Sequence, residues 1–324
     1  MTNPKALITG VAGFAGSHLA ELLLERGWKV VGFDRPGSGL DNLSHLIDRI
    51  DFSEVDLRDF EGVSRAVSSA RPSTVFHLGA VSFLPHARHD PILLSDVNVK
   101  GTLHVILSCL ELSPSPRMLL ASSSEVYGQA ASSIPFLGEE SPLRPDNLYG
   151  WSKLCAEEAA RFFHRSRGLE AVILRPFNHI GPRQSPLFVS ADIARQLARI
   201  EMGRQEAVVA IGDLDSARDF TDVRDIARGY LLAAEKGRAG ETYNLCSGRA
   251  VTVRELLDIF LARSGVRVEV RQETGRLREG EVKISRGDHG CFSALTGWEP
   301  KIPLPETLED ILQYWREKES LAQV

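Results

Sequence analysis

Gly10, Gly13 and Gly16 follow a short apolar run, Ala6-Leu7-Ile8-Thr9, and open a helix-periodic segment from Phe14 to Arg26. No other feature restricts the fold of this chain as much. A strand that passes through glycines into a helix turns tightly, lets other groups approach its backbone, and presses the helix against the strand. The helix start then offers free N–H groups and the positive end of its dipole, which favour a phosphate. A glycine-rich loop alone often marks only a turn. Here a second strand, Lys29-Val30-Val31-Gly32-Phe33, follows and ends on Asp34. That acid lies about 20 residues past the loop, where a carboxylate can bind ribose hydroxyls. Gly10, Gly13, Phe14, Ala15, Gly16 and Asp34 therefore make a candidate dinucleotide site.

Ser53-Glu54-Val55, Thr74-Val75-Phe76-His77-Leu78, Met118-Leu119-Leu120-Ala121 and Ala171-Val172-Ile173-Leu174 read as further strands. Helical patterns lie between them, from about Ile92 to Leu112 and from Tyr149 to Arg167. Nearly continuous apolar strands separated by helices predict a parallel sheet covered on both faces. Right-handed crossovers make it a doubly wound α/β sheet of the Rossmann type. The rhythm changes after Arg175-Pro176, where Pro176, Gly181, Pro182 and Pro186 cluster and shorter elements follow. A helix from Asp222 to Lys236 and a strand at Thr242-Tyr243-Asn244-Leu245 fit a return to the sheet. The expected division is residues 1–176 with 222–246 as the dinucleotide-binding domain. Residues 177–221 with 247–324 form a smaller, discontinuous α/β substrate lobe.

With 324 residues, 43% hydrophobic and 25% charged, the chain is long enough to bury a full core. Its net charge of −5 leaves no basic footprint for nucleic acid or for a membrane surface. Cys109, Cys155, Cys246 and Cys291 are scattered without zinc spacing and read as buried free thiols in a reducing compartment. His86 and His89 are three apart but lack a carboxylate-rich third ligand, so no metal is expected. No signal-peptide pattern opens the chain, and no segment reads as a membrane span. A cytoplasmic protein is expected.

The chemistry-bearing residues sit between the second and third quarters. Tyr149 and Lys153, four apart on a helix, share one face. An ammonium there favours the phenolate, which brings proton exchange at Tyr149 nearer neutral pH. Upstream lies Ser122-Ser123-Ser124-Glu125-Val126-Tyr127-Gly128, whose hydroxyls can hold a substrate oxygen beside that phenol. Ser123 and Glu125, two apart at a strand end, share a face if the chain is extended, and Ser124 then points away. Such a set moves a proton on a carbonyl or alcohol while a bound cofactor carries the hydride. Asp34 favours NAD. Arg35, the next residue, can pair with a 2′-phosphate and favours NADP or else faces solvent, so the choice stays open. Asp56 is placed for an adenine contact, and Gly79-Ala80 are small enough for close cofactor approach.

Together these residues resemble an extended short-chain dehydrogenase/reductase of the nucleotide-sugar group. The likeness runs along essentially the whole chain. It rests on Gly10-x-x-Gly13-x-x-Gly16, His77-Leu78-Gly79-Ala80, Asn98-Val99-x-Gly101-Thr102, Ser123 before Tyr127-Gly128, Tyr149-x-x-x-Lys153 and Arg175-Pro176-Phe177-Asn178. Gly79 departs from the alanine of many relatives. The resemblance selects Ser123 among the serines as catalytic, with Glu125, Tyr149 and Lys153. It implies cofactor contacts from Asp56, Leu57, Leu78, Gly79, Ala80, Asn98 and Pro176 as well as from the glycine loop.

The second half, through Leu187-Phe188-Val189 and Ala217-Arg218-Asp219-Phe220-Thr221-Asp222, is similar to GDP-4-dehydro-6-deoxy-D-mannose reductases and the related GDP-mannose 4,6-dehydratases. That likeness implies a GDP-sugar substrate. Asn178 and Arg218 would hold its diphosphate, Phe188 and Val189 would border its base, and Arg278 and Glu281 would contact phosphate and ribose. Ser82 is a further substrate candidate. Glu279-Gly280 stand where the family has proline after the arginine.

Glu125 separates the possible reactions. A 4,6-dehydratase needs an acid/base for the sugar C5 proton and C6 hydroxyl, and a carboxylate in a dry cleft suits that task. A reductase needs only hydride, a proton from Tyr149 and the Ser123 hydroxyl. Reduction of a C4 keto group is the expected activity, with dehydration or 4-epimerisation as alternatives. A cofactor-sensing protein without turnover needs none of Ser123, Tyr149 and Lys153. A homodimer is expected, joined through the helices flanking the sheet.

Overall fold

The computed structural model describes residues 3–82, 90–273 and 282–321. Its main feature is a seven-stranded, fully parallel sheet. The strands are β1 (Lys5–Thr9), β2 (Lys29–Asp34), β3 (Ile50–Glu54), β4 (Thr74–His77), β5 (Arg117–Ala121), β6 (Ala171–Pro176) and β10 (Thr242–Leu245). Their spatial order is β10-β6-β5-β4-β1-β2-β3. Alternate residues feed opposite layers, as the pleat requires. Ala6, Ile8, Phe76, Leu119, Ala121, Val172 and Leu174 pack on one face beneath α1 (Phe14–Glu25) and α6 (Val223–Lys236). Leu7, Val75, Met118, Leu120, Ala171 and Ile173 pack on the other. That second layer holds α2 (Phe60–Ala70), α3 (Pro91–Leu110) and α4 (Leu148–Arg167). Two buried faces explain why these strands read as unbroken apolar runs. The doubly wound parallel sheet expected from the sequence is present.

The order in which strands are added reverses between β1 and β4, which opens a crevice at their carboxyl ends. Gly10 and Gly79 meet there. A Cβ on Gly10 would stand 2.8 Å from the Gly79 Cα, so Gly10 must stay bare, whereas one on Gly79 would meet nothing closer than 3.0 Å. A polar chain locks this junction. The Gly79 N–H donates to Thr9 Oγ1 at 3.0 Å, and Thr9 Oγ1 lies 2.8 Å from His77 Nδ1. His77 Nε2 is 2.9 Å from Thr102 Oγ1, whose own proton goes to the Asn98 carbonyl at 2.6 Å. Thr102 can thus only accept from His77, which puts the ring proton on Nε2. Burial holds the His77 pKa down to about 3, with the Lys153 charge adding to it, so the ring stays neutral.

α3 differs from expectation in two ways. It contains a π-helical stretch over Ser95–Lys100, and it is long and apolar enough to cross a membrane. It is half-buried and packs between α2 and α4 as a layer of this fold. Cys291 also departs from expectation: it is exposed, whereas Cys109 and Cys246 are buried.

The remaining elements surround a separate apolar cluster. α5 (Val189–Glu201), α7 (Val253–Ser264) and α9 (Leu304–Leu321) bury Ile193, Leu197, Leu256, Phe260, Leu308 and Leu312 against one another. Short strands flank them. β9 (Ala217–Asp222) lies between β11 (Ala250–Thr252) and β13 (Ile284–Ser285), and β7 (Asn178–Ile180) also pairs with it. β8 (Val208–Ile211) pairs with β12 (Glu269–Gln272). α8 (Gly290–Thr296) returns to the first layer, where Phe292 joins the sheet core. The helix from Val223 and the strand at Thr242 also return to the large sheet.

Candidate active site

One cavity of about 1100 Å³ runs from the glycine loop across the sheet ends to β9. Gly10, Gly13, Phe14, Ala15, Gly16, Asp34, Leu78, Gly79 and Ala80 line one end. Ser123, Glu125, Tyr149, Lys153 and Pro176 line the middle, and Ser82, Asn178, Phe188, Val189 and Arg218 also line it. Residues far apart in sequence converge because every strand of a parallel sheet ends on the same edge.

The loop is wound too tightly to carry side chains at its glycines. A Cβ on Gly16 would fall 2.2 Å from the Gly10 carbonyl oxygen, and one on Gly13 would fall 3.1 Å from it. Asp34 accepts from the Ala12 N–H at 3.1 Å and from the Arg35 N–H at 2.9 Å, which ties the second strand to the loop. Burial raises the Asp34 pKa, against the pull of those two N–H groups. A tightly wound, side-chain-free cradle at a helix start fits a dinucleotide pyrophosphate.

Four of the sequence candidates lie off the cavity lining. Arg35 is exposed. Asp56 is held by Arg58, at 3.0 Å from its Nε and 2.6 Å from an Nη. Leu57 is buried against Gly79 and Gly101. Asn98 acts as a buried brace: its Oδ1 accepts the Val81 N–H at 2.8 Å, and its Nδ2 donates to the Val81 carbonyl at 3.1 Å and to Ser152 at 3.0 Å. Arg278 and Glu281, like His86 and His89, lie outside the described residues. Among the described residues no group of three or more His, Cys, Asp or Glu is placed to hold a metal ion.

The middle of the cavity differs from the extended arrangement expected after β5. The strand ends at Ala121, and Ser124–Val126 form a single 3-10 turn that Ser123 caps, its Oγ accepting the Glu125 N–H at 3.2 Å. Ser123 and Glu125 reach the cavity through this turn, and Ser124 lines it with them. A serine that can cap a turn competes with strand continuation, which is why period-two reasoning fails here. α4 meets the turn at closest range through Gly150, where a Cβ would stand 2.4 Å from the Glu125 carbonyl oxygen.

Asn147 was not singled out by sequence, although an Asn just before a helical run is an N-cap signal. Its Oδ1 accepts the Gly150 N–H at 2.9 Å, and its Nδ2 donates to Glu125 Oε2 at 2.7 Å. The same residue therefore starts the helix of Tyr149 and holds the carboxylate. His179 also lines the cavity, and its ring stacks on Phe14 at 5.8 Å between centroids. Tyr230 and Gln184 line it too.

The Tyr149 phenol faces the Ser123 hydroxyl. Burial first, and then the Glu125 charge, push its phenol upward, and the Ser123 contact opposes them. This reverses the direction expected from Lys153. The ammonium lies 5.8 Å from the ring centroid and donates to the Ala121 carbonyl at 2.7 Å. Burial lowers the Lys153 pKa to about 8, although the Glu157 charge raises it. Glu157 is itself buried. It accepts from Arg175 Nε at 2.9 Å, from a second Arg175 nitrogen at 2.7 Å, and from Arg161 at 2.7 Å. Arg218 lies next to acids that are already engaged. Asp219 accepts the Ser247 and Gly248 N–H groups at 2.7 and 2.9 Å, and Asp222 pairs with Arg224 at 2.7 Å. Arg218 itself donates to the Ala217 carbonyl at 2.9 Å.

Comparison with known proteins agrees with this architecture. A model of the GDP-mannose 4,6 dehydratase family matches residues 7–311. A GDP-6-deoxy-D-mannose reductase of Pseudomonas aeruginosa is 34% identical over 97% of this chain and 98% of its own. The structure of RMD from Pseudomonas aeruginosa complexed with NADPH superposes with a TM-score of 0.84 at 32% identity, covering 98% of this chain and 100% of that one. The UDP-glucose 4-epimerase of Thermus thermophilus, complexed with NAD, gives a TM-score of 0.85 at 30% identity, covering 96% and 99%. With its glycine loop, its Ser/Tyr/Lys set and these relatives, the chain belongs to the GDP-mannose 4,6 dehydratase family of extended short-chain dehydrogenase/reductase proteins.

Proposed function

We propose that the protein reduces the C4 keto group of a GDP-4-dehydro-6-deoxy-hexose with a bound NAD(P)H. When bound, the reduced nicotinamide supplies the hydride. The chain's own residues bind, orient and protonate. Ser123 hydrogen-bonds the substrate oxygen, and the Tyr149 phenol gives that oxygen its proton. Lys153 and its Glu157 neighbour keep a positive charge beside the resulting phenolate until solvent returns the proton. The glycine loop and Asp34 hold the cofactor. Asn178 and Arg218 hold the substrate diphosphate, with Phe188 and Val189 beside the base.

The observation that carries this reading is the likeness to a GDP-6-deoxy-D-mannose reductase, 34% identical over 97% of this chain. Burial and the Glu125 charge raise the pKa of the Tyr149 phenol, which suits a proton donor to the reduced oxygen. Glu125 accepts a 2.7 Å hydrogen bond from the Asn147 amide, which fixes the position of its carboxyl group. The smaller lobe, residues 177–221 with 247–324, would supply the substrate half. Exposed Ile92, Trp151 and Phe162 on α3 and α4 suit a homodimer contact.

Incubation with GDP-mannose alone should give no product. The 4-keto-6-deoxy sugar with NADH or NADPH should be reduced. Loss of water from GDP-mannose without added reductant would refute the reductase assignment.

A further inference from the structure

A second, smaller cavity of about 310 Å³ lies on the opposite flank of β9. The strand end Phe220–Asp222, Ser247, Arg249 and Val251 form one wall. Residues Pro300 to Leu304 and Thr307, at the start of α9, form the other. Phe220 borders both cavities, so the two share one strand.

Three features of this cavity point the same way. Thr221 is 3% exposed, and its Oγ1 finds no hydrogen-bond partner. A buried hydroxyl left without a partner costs free energy, so it marks a place where a ligand or water belongs. Arg249 and Lys301 are exposed at the rim, and among the described residues neither has a salt bridge. The start of α9, an 18-residue helix, supplies the positive end of a dipole.

The nearby acids are already engaged. Asp222 lines the cavity, but its carboxylate pairs with Arg224 at 2.7 Å and accepts from Thr307 at 2.7 Å. Asp225 accepts the Lys301 and Ile302 N–H groups at 2.7 and 2.9 Å. Glu255, whose pKa the Arg249 charge helps to lower, caps α7 through Thr252. Glu306, in the first turn of α9, does not line the cavity.

We propose that this cavity binds a small phosphate-bearing anion between Arg249, Lys301 and Thr221, separately from the large cavity. Its volume suits a phosphate or a phosphomonoester and is well below that of the dinucleotide crevice. This assignment does not depend on which reaction the large cavity performs.

The test is calorimetric titration of the full chain with inorganic phosphate while NADPH is held in excess. Binding should persist under these conditions and weaken about tenfold in Arg249→Gln and again in Lys301→Gln, as loss of a charge-assisted hydrogen bond implies. Arg218→Gln, on the other cavity, should leave it unchanged. Both rim residues are exposed, so their variants should fold normally. Glycerol 3-phosphate separates the two sources: tighter binding than phosphate makes the ligand an ester, and equal binding makes it the free ion. No binding at millimolar phosphate would overturn the proposal. So would binding that survives both rim substitutions or disappears in Arg218→Gln.

Discussion

The Tyr149 phenol sits between two opposing influences, a carboxylate that keeps it protonated and an ammonium that stabilises its conjugate base. Burial and then the Glu125 charge prevail in this structure, and Lys153 donates to the Ala121 carbonyl. Tyr149→Phe removes the proton donor and little else. Turnover should fall by about 10²–10⁴-fold, with cofactor affinity, read by fluorescence titration, nearly intact. Unchanged turnover would remove Tyr149 from the mechanism. Glu125→Gln keeps the shape of the side chain and abolishes its charge. A reductase should remain largely active, because the carboxylate is not a proton carrier in that reaction, whereas a dehydratase should be crippled. Steady-state rates on the keto sugar and on GDP-mannose separate the two cases. At this scale the sequence was legible where a residue acts through its type and position, as with Tyr149 and Lys153. It was opaque where direction depends on burial, as with the sign of the Tyr149 shift.

Elements carry the next level of constraint. The glycine loop works because β1 and α1 touch: the Gly16 position lies against the Gly10 carbonyl and the Val11 Cα. Gly16→Ala puts a methyl group 2.2 Å from that carbonyl oxygen, so the loop must open. Cofactor affinity should drop at least tenfold, and stability should fall by about 1–3 kcal/mol, read by cofactor titration and urea unfolding. A variant with wild-type affinity would show that the loop does not cradle the cofactor. The parallel strands and most crossover helices were readable, because each buries two faces or one periodic stripe; the helix Phe60–Ala70 and the start of the third strand at Ile50 were not. The turn after β5 was not. Strand patterning cannot register Ser123 capping a 3-10 turn, a local side chain-to-backbone bond, nor Asn147 linking that turn to α4 through a side chain-to-side chain bond across chain segments. Asp56 shows the same limit, since it is taken by Arg58 two residues on.

At the scale of the whole molecule, buried neutral histidines tie stability to pH. His77 titrates at about 3 and His18 at about 4 in the fold, against 6.5 when unperturbed. As pH falls below that value, the unfolded chain takes up protons that the folded chain refuses, so stability is lost with acid. Most of this loss should lie between about pH 6.5 and pH 4, above the range where most carboxylates titrate. Asp34 and Asp219, whose pKa values are raised, act in the opposite sense as pH falls towards the ordinary carboxylate range. The urea midpoint should therefore be lower at about pH 5 than at about pH 7. Equal midpoints would mean that these histidines are accessible to protons in the folded state.

One isotopic measurement bears most directly on hydride transfer to C4. The protein is given the GDP-4-dehydro-6-deoxy sugar with a nicotinamide carrying deuterium at its transferable position, and the product is read by NMR. The expected result is one deuterium at sugar C4, with one cofactor oxidised per sugar. Product formed without cofactor oxidation, or deuterium absent from C4, would contradict the proposed reaction.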